Sequence, residues 1–241
     1  MSGAEPTYYV YVITSRNNPI YEEFDKIRRK QMEDLQIPHK FLLNGALPPG
    51  YSLKDDEVYY PEDSVAPWGE TLTPSEAYTP GMFLKFYAEI HKGLPQVDFI
   101  IRTNSSTFVD FRKLGSFLKD LPKRIRVRAG YPLKYYPTMK SLFIAGYAMI
   151  FSRDVLENIK YDEDIIKKEA DDVALSFVTN DYCHYWLYDL GNCLEFFING
   201  GSYIPEAVDP KKFIFRILNP DRRVDIQIWN ELYRSVTETN V

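Results

Sequence analysis

Cys183 and Cys193 are the only thiols in 241 residues. They lack the paired spacing of a zinc site, and so few cysteines suit a reducing compartment. The histidines, His39, His91 and His184, are scattered, so no metal-ligand or Ser-His-Asp grouping can be read from them. No apolar run reaches the ~20 residues of a membrane-spanning helix, and Met1-Ser2-Gly3-Ala4-Glu5-Pro6 is not a signal peptide. Positive charge is in deficit as well: 29 Lys and Arg stand against 34 Asp and Glu, a net charge of −5. A nucleic-acid binder carries a basic face to meet phosphates, so nucleic acid is not an expected partner. The one dense basic run, Lys123-Arg124-Ile125-Arg126-Val127-Arg128, alternates with apolar residues and reads first as a half-exposed strand, second as an anion-binding stretch. Neither Gly-x-x-x-x-Gly-Lys nor Gly-x-Gly-x-x-Gly occurs, which removes support for an NTPase or a dehydrogenase. With no span and a native-looking Met1, the expectation is a cytoplasmic protein.

What is present is ordinary globular material. Hydrophobic residues make up 45% and charged residues 26%. The length buries a full core yet still fits one α/β domain over residues 1–241. Tyr and Phe are plentiful, at 19 and 15. A Tyr-rich core is the first reading, and a surface that stacks on sugars or bases is the second.

Tyr8 to Thr14 reads as a strand closed by the turn Ser15-Arg16-Asn17-Asn18-Pro19. Ile20, Phe24, Ile27 and Met32 recur between charges at near-helical spacing and predict an amphipathic helix to Leu35. Phe41-Leu42-Leu43 follows as a second strand. Strand, helix, strand is how a nucleotide-binding α/β domain begins. Ala46 to Pro80 is proline-rich and loop-like, with a short strand near Val58. So long an irregular stretch is usually functional, and Trp68-Gly69-Glu70 is its candidate lid. Beyond it the pattern predicts a helix over Gly81–Lys92 and a buried strand over Asp98–Arg102. A helix over Phe111–Leu121 and strands over Ile125–Tyr131 and Phe143–Phe151 come next. Helices over Asp154–Ile159 and Glu169–Thr179, a strand over Phe213–Leu218 and a helix over Asp221–Thr237 complete the chain.

Ligands of open α/β sheets bind at the carboxyl ends of strands. Here the buried strand runs into Thr103-Asn104-Ser105-Ser106 and then returns to Phe108-Val109. Four small polar residues at that edge suit a pyrophosphate or ribose; equally, they are a Ser/Thr turn capping the Phe111 helix. Asn104-Ser105-Ser106 also has the form of a glycosylation sequon, accidental if the turn lines a buried site.

Four segments in order carry a family resemblance. They are Arg102-Thr103-Asn104-Ser105-Ser106-Thr107-Phe108-Val109, Val127-Arg128-Ala129-Gly130-Tyr131, Ala145-Gly146-Tyr147 through Ser152-Arg153-Asp154, and Glu169-Ala170-Asp171-Asp172-Val173. Across roughly Met82 to Phe177 they resemble glycosyltransferases of the β-1,3-galactosyltransferase and fringe type, whose cytoplasmic relatives include enzymes of large DNA viruses. The resemblance implies a GT-A (Rossmann-like) fold, a central mixed sheet flanked by helices. It implies inverting transfer of a sugar from a nucleotide-sugar donor, a UDP-sugar first, to a glycan or glycoprotein acceptor. The alternative is a non-catalytic nucleotide-sugar or glycan-binding module of the same fold. A nucleotide-sugar pyrophosphorylase is disfavoured, because no Gly-rich N-terminal loop is present.

The departure from the family is as informative as the match. Family members place aspartates after the strand to hold Mn2+ or Mg2+ against the donor diphosphate, since hard cations want carboxylate oxygens. This chain has Asn104, Ser105 and Ser106 there, which disfavours a metal. The departing diphosphate then needs Arg or Lys, and the candidates are Arg16, Lys85, Arg102 and Arg216. Thr14, Thr103 and Gly146 complete the expected donor set. An inverting transfer also needs a carboxylate base. The resemblance assigns it to Asp172 or its neighbour Asp171, although adjacent acids at a helix start also favour the helix dipole. His184, with Tyr182, Tyr185 and Trp186, is a candidate acceptor pocket or a packed aromatic cluster.

Overall fold

The computed structural model describes residues 5–16, 19–59, 86–122, 124–134, 142–160, 162, 164–165, 169, 171–183, 187–198 and 209–238. Lys85, Lys123, the Trp68-Gly69-Glu70 lid, the start of the helix expected from Gly81, and His184 with Tyr185 and Trp186 lie outside the described residues.

A seven-stranded sheet organises the chain. Its strands are β1 (Tyr8–Ser15), β2 (His39–Asn44), β3 (Glu57–Tyr59), β4 (Phe99–Asn104), β6 (Arg128–Gly130), β9 (Ala148–Ser152) and β10 (Leu187–Asp189), in the order β10-β6-β9-β4-β1-β2-β3. β1 runs parallel to both β2 and β4, whereas β9 is antiparallel to β4 and β6, so the sheet is mixed. β1 is almost continuously apolar because both its faces are covered. Val10 and Val12 join one core cluster, with Phe99, Ile101 and Ile150, while Tyr11 and Ile13 join another, with Ile100, Met149 and Phe151.

A second sheet, β11-β12-β5, is built from β5 (Thr107–Val109), β11 (Leu194–Ile198) and β12 (Ile214–Leu218). It packs Phe108, Phe215 and Ile217 against Phe24 of helix α1 (Pro19–Asp34) and Trp229 of the C-terminal helix (Arg222–Glu238). Phe24 and Trp229 stack at 4.8 Å. The mixed α/β architecture is the one expected.

Three local readings differ. Of Ile125–Tyr131 only Arg128–Gly130 is strand; Ile125 is 63% exposed, and Arg126 takes a left-handed φ of 54°. Arg128 turns inward, donating to the Ser176 carbonyl at 2.7 Å. Phe143–Phe151 is two strands, β8 (Leu142–Ile144), which pairs with β7 (Pro132–Lys134), and β9, parted by a turn at Gly146-Tyr147. The helix expected over Glu169–Thr179 begins at Asp171 and runs to Cys183. The polar run caps no helix: Asp110 caps Phe111–Asp120 by accepting from the amides of Arg112 and Lys113, and Asn104–Thr107 is the turn joining β4 to β5.

Candidate functional site

The carboxyl end of β4, the Gly146 turn, the first residues of the helix Asp171–Cys183 and the middle of β12 converge. Pairing explains the meeting. Thr103 at the end of β4 is in register with Ala148 at the start of antiparallel β9, so the Gly146-Tyr147 turn lies beside it. β12 pairs with β5, setting Arg216 opposite Thr107.

Asn104 is the junction. Its amide donates to the Gly146 carbonyl at 3.0 Å. Its Oδ1 accepts from Arg216 at 3.0 Å and from Thr107 at 2.9 Å. Arg216 also donates to Ser106 Oγ, and its guanidinium lies 5.0 Å from the centre of the Tyr147 ring. The Gly146 amide donates to Asp172 Oδ2 at 2.9 Å, and the amide of Val173 donates to Asp172 Oδ1 at 3.0 Å. Arg102, buried at 2% exposure, donates to the Gly146 carbonyl at 2.9 Å and ion-pairs with Asp171. Thr103 hydroxyl donates to the Tyr147 carbonyl at 2.8 Å. A Cβ on Gly146 would lie 2.4 Å from Arg102 Nη1, so the glycine leaves the room that this guanidinium fills.

Of the remaining expected residues, Thr14, Arg16 and Ser105 are engaged elsewhere. Thr14 donates its hydroxyl to Asp25 at 2.6 Å. Arg16 is clamped by Asp25 and Glu57 at 2.7 Å each and by the Tyr51 hydroxyl at 2.8 Å. Burial works to lower the Arg16 pKa, but these partners outweigh it and hold the guanidinium above its ordinary value. Ser105 turns inward, its hydroxyl and its amide both donating to the Ile13 carbonyl. Lys85 lies outside the described residues.

Sequence reasoning passed over Asp25 and Arg28, both buried on α1. Arg28 donates to the carbonyls of Asn104, Ser105 and Thr107, at 3.0, 3.4 and 2.5 Å, and so holds the β4–β5 turn from beneath. Burial pushes Arg28 down to about 10, with Asp25 pulling the other way. Burial likewise pushes Asp25 up, against the attraction of Arg28 and Arg16. The signal was in the spacing: Asp25, Arg28 and Met32 lie at helical intervals beside Phe24, on the stripe that faces the core.

No protein-family model and no curated protein matches the sequence. Solved structures do match the arrangement. A glycosyltransferase involved in the glycosylation of the major capsid of PBCV-1 superposes with a TM-score of 0.52 at 9% identity, over 92% of this chain and 98% of that one. The galactosyltransferase LgtC, in complex with donor and acceptor sugar analogs, gives 0.53 at 10% identity, over 95% and 96%. This is the GT-A fold.

The resemblance would put a metal at the turn after β4, and the residues present there do not fit one. Asn104 and Ser106 offer neutral oxygens that already accept from a guanidinium, and Ser105 faces the Ile13 carbonyl. Among the described residues no group of three or more His, Cys, Asp or Glu side chains gathers to hold a metal. No helix among them is long and apolar enough to cross a membrane.

Proposed function

We propose that this chain is an inverting glycosyltransferase that uses a nucleotide sugar, a UDP-sugar first, with Arg216 supplying the positive charge that relatives draw from a metal. One observation carries the reading. A continuous path of hydrogen bonds runs from Arg216 through Asn104 and Gly146 to Asp172. It ties a cation at the β4–β5 turn to a carboxylate at the Gly146-Tyr147 turn, the two charges that the reaction requires. Arginine suits the first role because its planar fork meets phosphate oxygens in pairs.

In this reading the donor diphosphate lies against Arg216 and the Asn104–Ser106 turn, with the anomeric carbon toward Asp172. Asp172 accepts the acceptor hydroxyl's proton as that oxygen attacks the anomeric carbon from the face opposite the diphosphate. The new carbon–oxygen bond forms while the old one breaks, and its electron pair leaves on the diphosphate, whose charge Arg216 meets. Arg102, paired with Asp171 and the Gly146 carbonyl, holds the base's helix start in place. We assign the reaction to the cytoplasm and the acceptor to a glycan or glycoprotein.

Thermal stabilisation by UDP and by a panel of UDP-sugars, with manganese and with chelator, tests this directly, since a ligand of the native state raises its stability by mass action. Stabilisation that survives the chelator supports the reading, and stabilisation that needs manganese overturns the role of Arg216. Binding with neither transfer nor hydrolysis would favour a binding module, a reading to which the carboxylate-free turn lends weight.

A further inference from the structure

Three aromatic rings stand beside this site. Tyr131 and Tyr147 stack with ring centres 6.3 Å apart, and Phe196 meets both edge-on, at 5.9 and 5.8 Å. Strand geometry explains the outward position of Phe196. Its neighbour Phe197 turns into the core beneath the small sheet, stacking on Phe215 at 6.1 Å, so Phe196 points to the opposite face. There Phe196 is 38% exposed and in register with Arg216, which is in turn opposite Thr107. One face of the small sheet therefore lines up an apolar ring, the guanidinium and the β4–β5 turn.

The rings are also fastened to the base. Tyr147 follows Gly146, whose amide Asp172 holds, and the Tyr131 carbonyl accepts from the Ala145 amide at 2.9 Å. Phe196 is the exposed ring of the three, backed by the partly buried Tyr131 and Tyr147. It offers an apolar surface with Arg216 and the partly buried Asp172 nearby as polar groups. A pyranose has the matching chemistry, one face of C–H bonds and an edge of hydroxyls. A nucleotide sugar carries its base at the far end of the diphosphate from the transferred sugar. Tyr147 sits between Arg216, 5.0 Å from its ring, and Gly146, which Asp172 holds, so in the proposed pose the ring cluster adjoins the sugar end.

We propose that Phe196, backed by Tyr131 and Tyr147, forms a saccharide-stacking platform that seats the acceptor, presenting its hydroxyl to Asp172. This rests on the transferase reading above and specifies its acceptor as a saccharide rather than a bare peptide or lipid hydroxyl.

Saturation-transfer NMR with methyl glycosides of galactose, glucose, mannose and xylose as probes tests the platform separately from the chemistry, with UDP binding followed in parallel. The expected result is saturation of one face of at least one glycoside by the full chain. Phe196→Ala should cut that signal several-fold, with UDP affinity and melting temperature held, and Phe196→Trp should restore it. Unchanged signal in Phe196→Ala, or no glycoside signal in the parent protein, overturns the platform even if UDP binds. Loss of the glycoside signal on adding uridine alone would put a nucleobase on the rings and also overturn it. Glycoside binding that depends on Phe196 in a protein blind to UDP would keep the platform and sink the transferase reading instead.

Discussion

The backbone amide of Gly146 points at Asp172 Oδ2 across 2.9 Å, tying the turn before β9 to the first residues of a helix 26 positions further along the chain. The same carboxylate accepts the Val173 amide through its other oxygen, so its orientation is set from two sides. In the proposed reaction Asp172 is the base, which must lie within hydrogen-bond reach of its substrate, and these two bonds would fix it there.

Asp172→Asn keeps the shape and removes the capacity to take a proton. Steady-state kinetics should show kcat down by ~100- to 10,000-fold, the usual contribution of a positioned base, with donor affinity nearly unchanged. An equal collapse of UDP-sugar binding would make Asp172 a donor-recognition residue.

Arg216→Lys keeps the charge but loses the fork, and Arg216→Ala loses both. Titration calorimetry should show UDP affinity falling by ~10- to 100-fold for the alanine variant, the range of a lost charge-assisted hydrogen bond, and by less for lysine. Undiminished UDP binding in a folded Arg216→Ala protein would remove this residue from the donor site.

Gly146→Ala puts a methyl group 2.4 Å from Arg102 Nη1 and 3.4 Å from Asp172 Oδ2. Arg102 is buried and bound to Asp171, so it has little room to yield. The expected cost is ~1–3 kcal/mol in denaturant unfolding, as for overpacking elsewhere, together with a fall in kcat as the carboxylate is pushed aside. Parent-like stability and turnover would show that the turn relaxes freely.

Stability should also depend on pH through the ends of β2 and β3. Burial raises the Asp56 and Glu57 carboxyls, but Arg29 outweighs it at Asp56, and Arg16 with Tyr51 outweighs it at Glu57; both finish below their ordinary values. A carboxyl depressed in the folded state contributes stability that is present above its unfolded pKa and lost as pH falls through the folded one. The melting temperature should therefore decline below about pH 4.5, where free carboxylates begin to protonate. Glu57→Gln should lower the neutral-pH plateau and flatten that decline. A Glu57→Gln curve parallel to the parent's would show that this carboxyl is not linked to folding.

The apolar runs of β1, β4 and β9 declared themselves in the sequence because strands covered on both faces need hydrophobic residues at every position. Ile20, Phe24 and Met32 likewise announced α1 through their spacing, and the polar break after Arg102 marked the sheet edge where the candidate site lies. Local pattern reports the period of the backbone and little else. It read Phe143–Phe151 as one strand, since apolar residues run past Gly146, whereas packing against Arg102 and Asp172 bends the chain there. It read Arg16, Arg102 and Arg216 as equal candidates, because charge alone does not show a partner. Only the tertiary structure separates them, giving Arg16 to Asp25 and Glu57, Arg102 to Asp171, and Arg216 to Asn104 across 112 positions of sequence. Contacts over such separations are decided by which strands pair and which helices cover them, and no window of neighbouring residues contains that information.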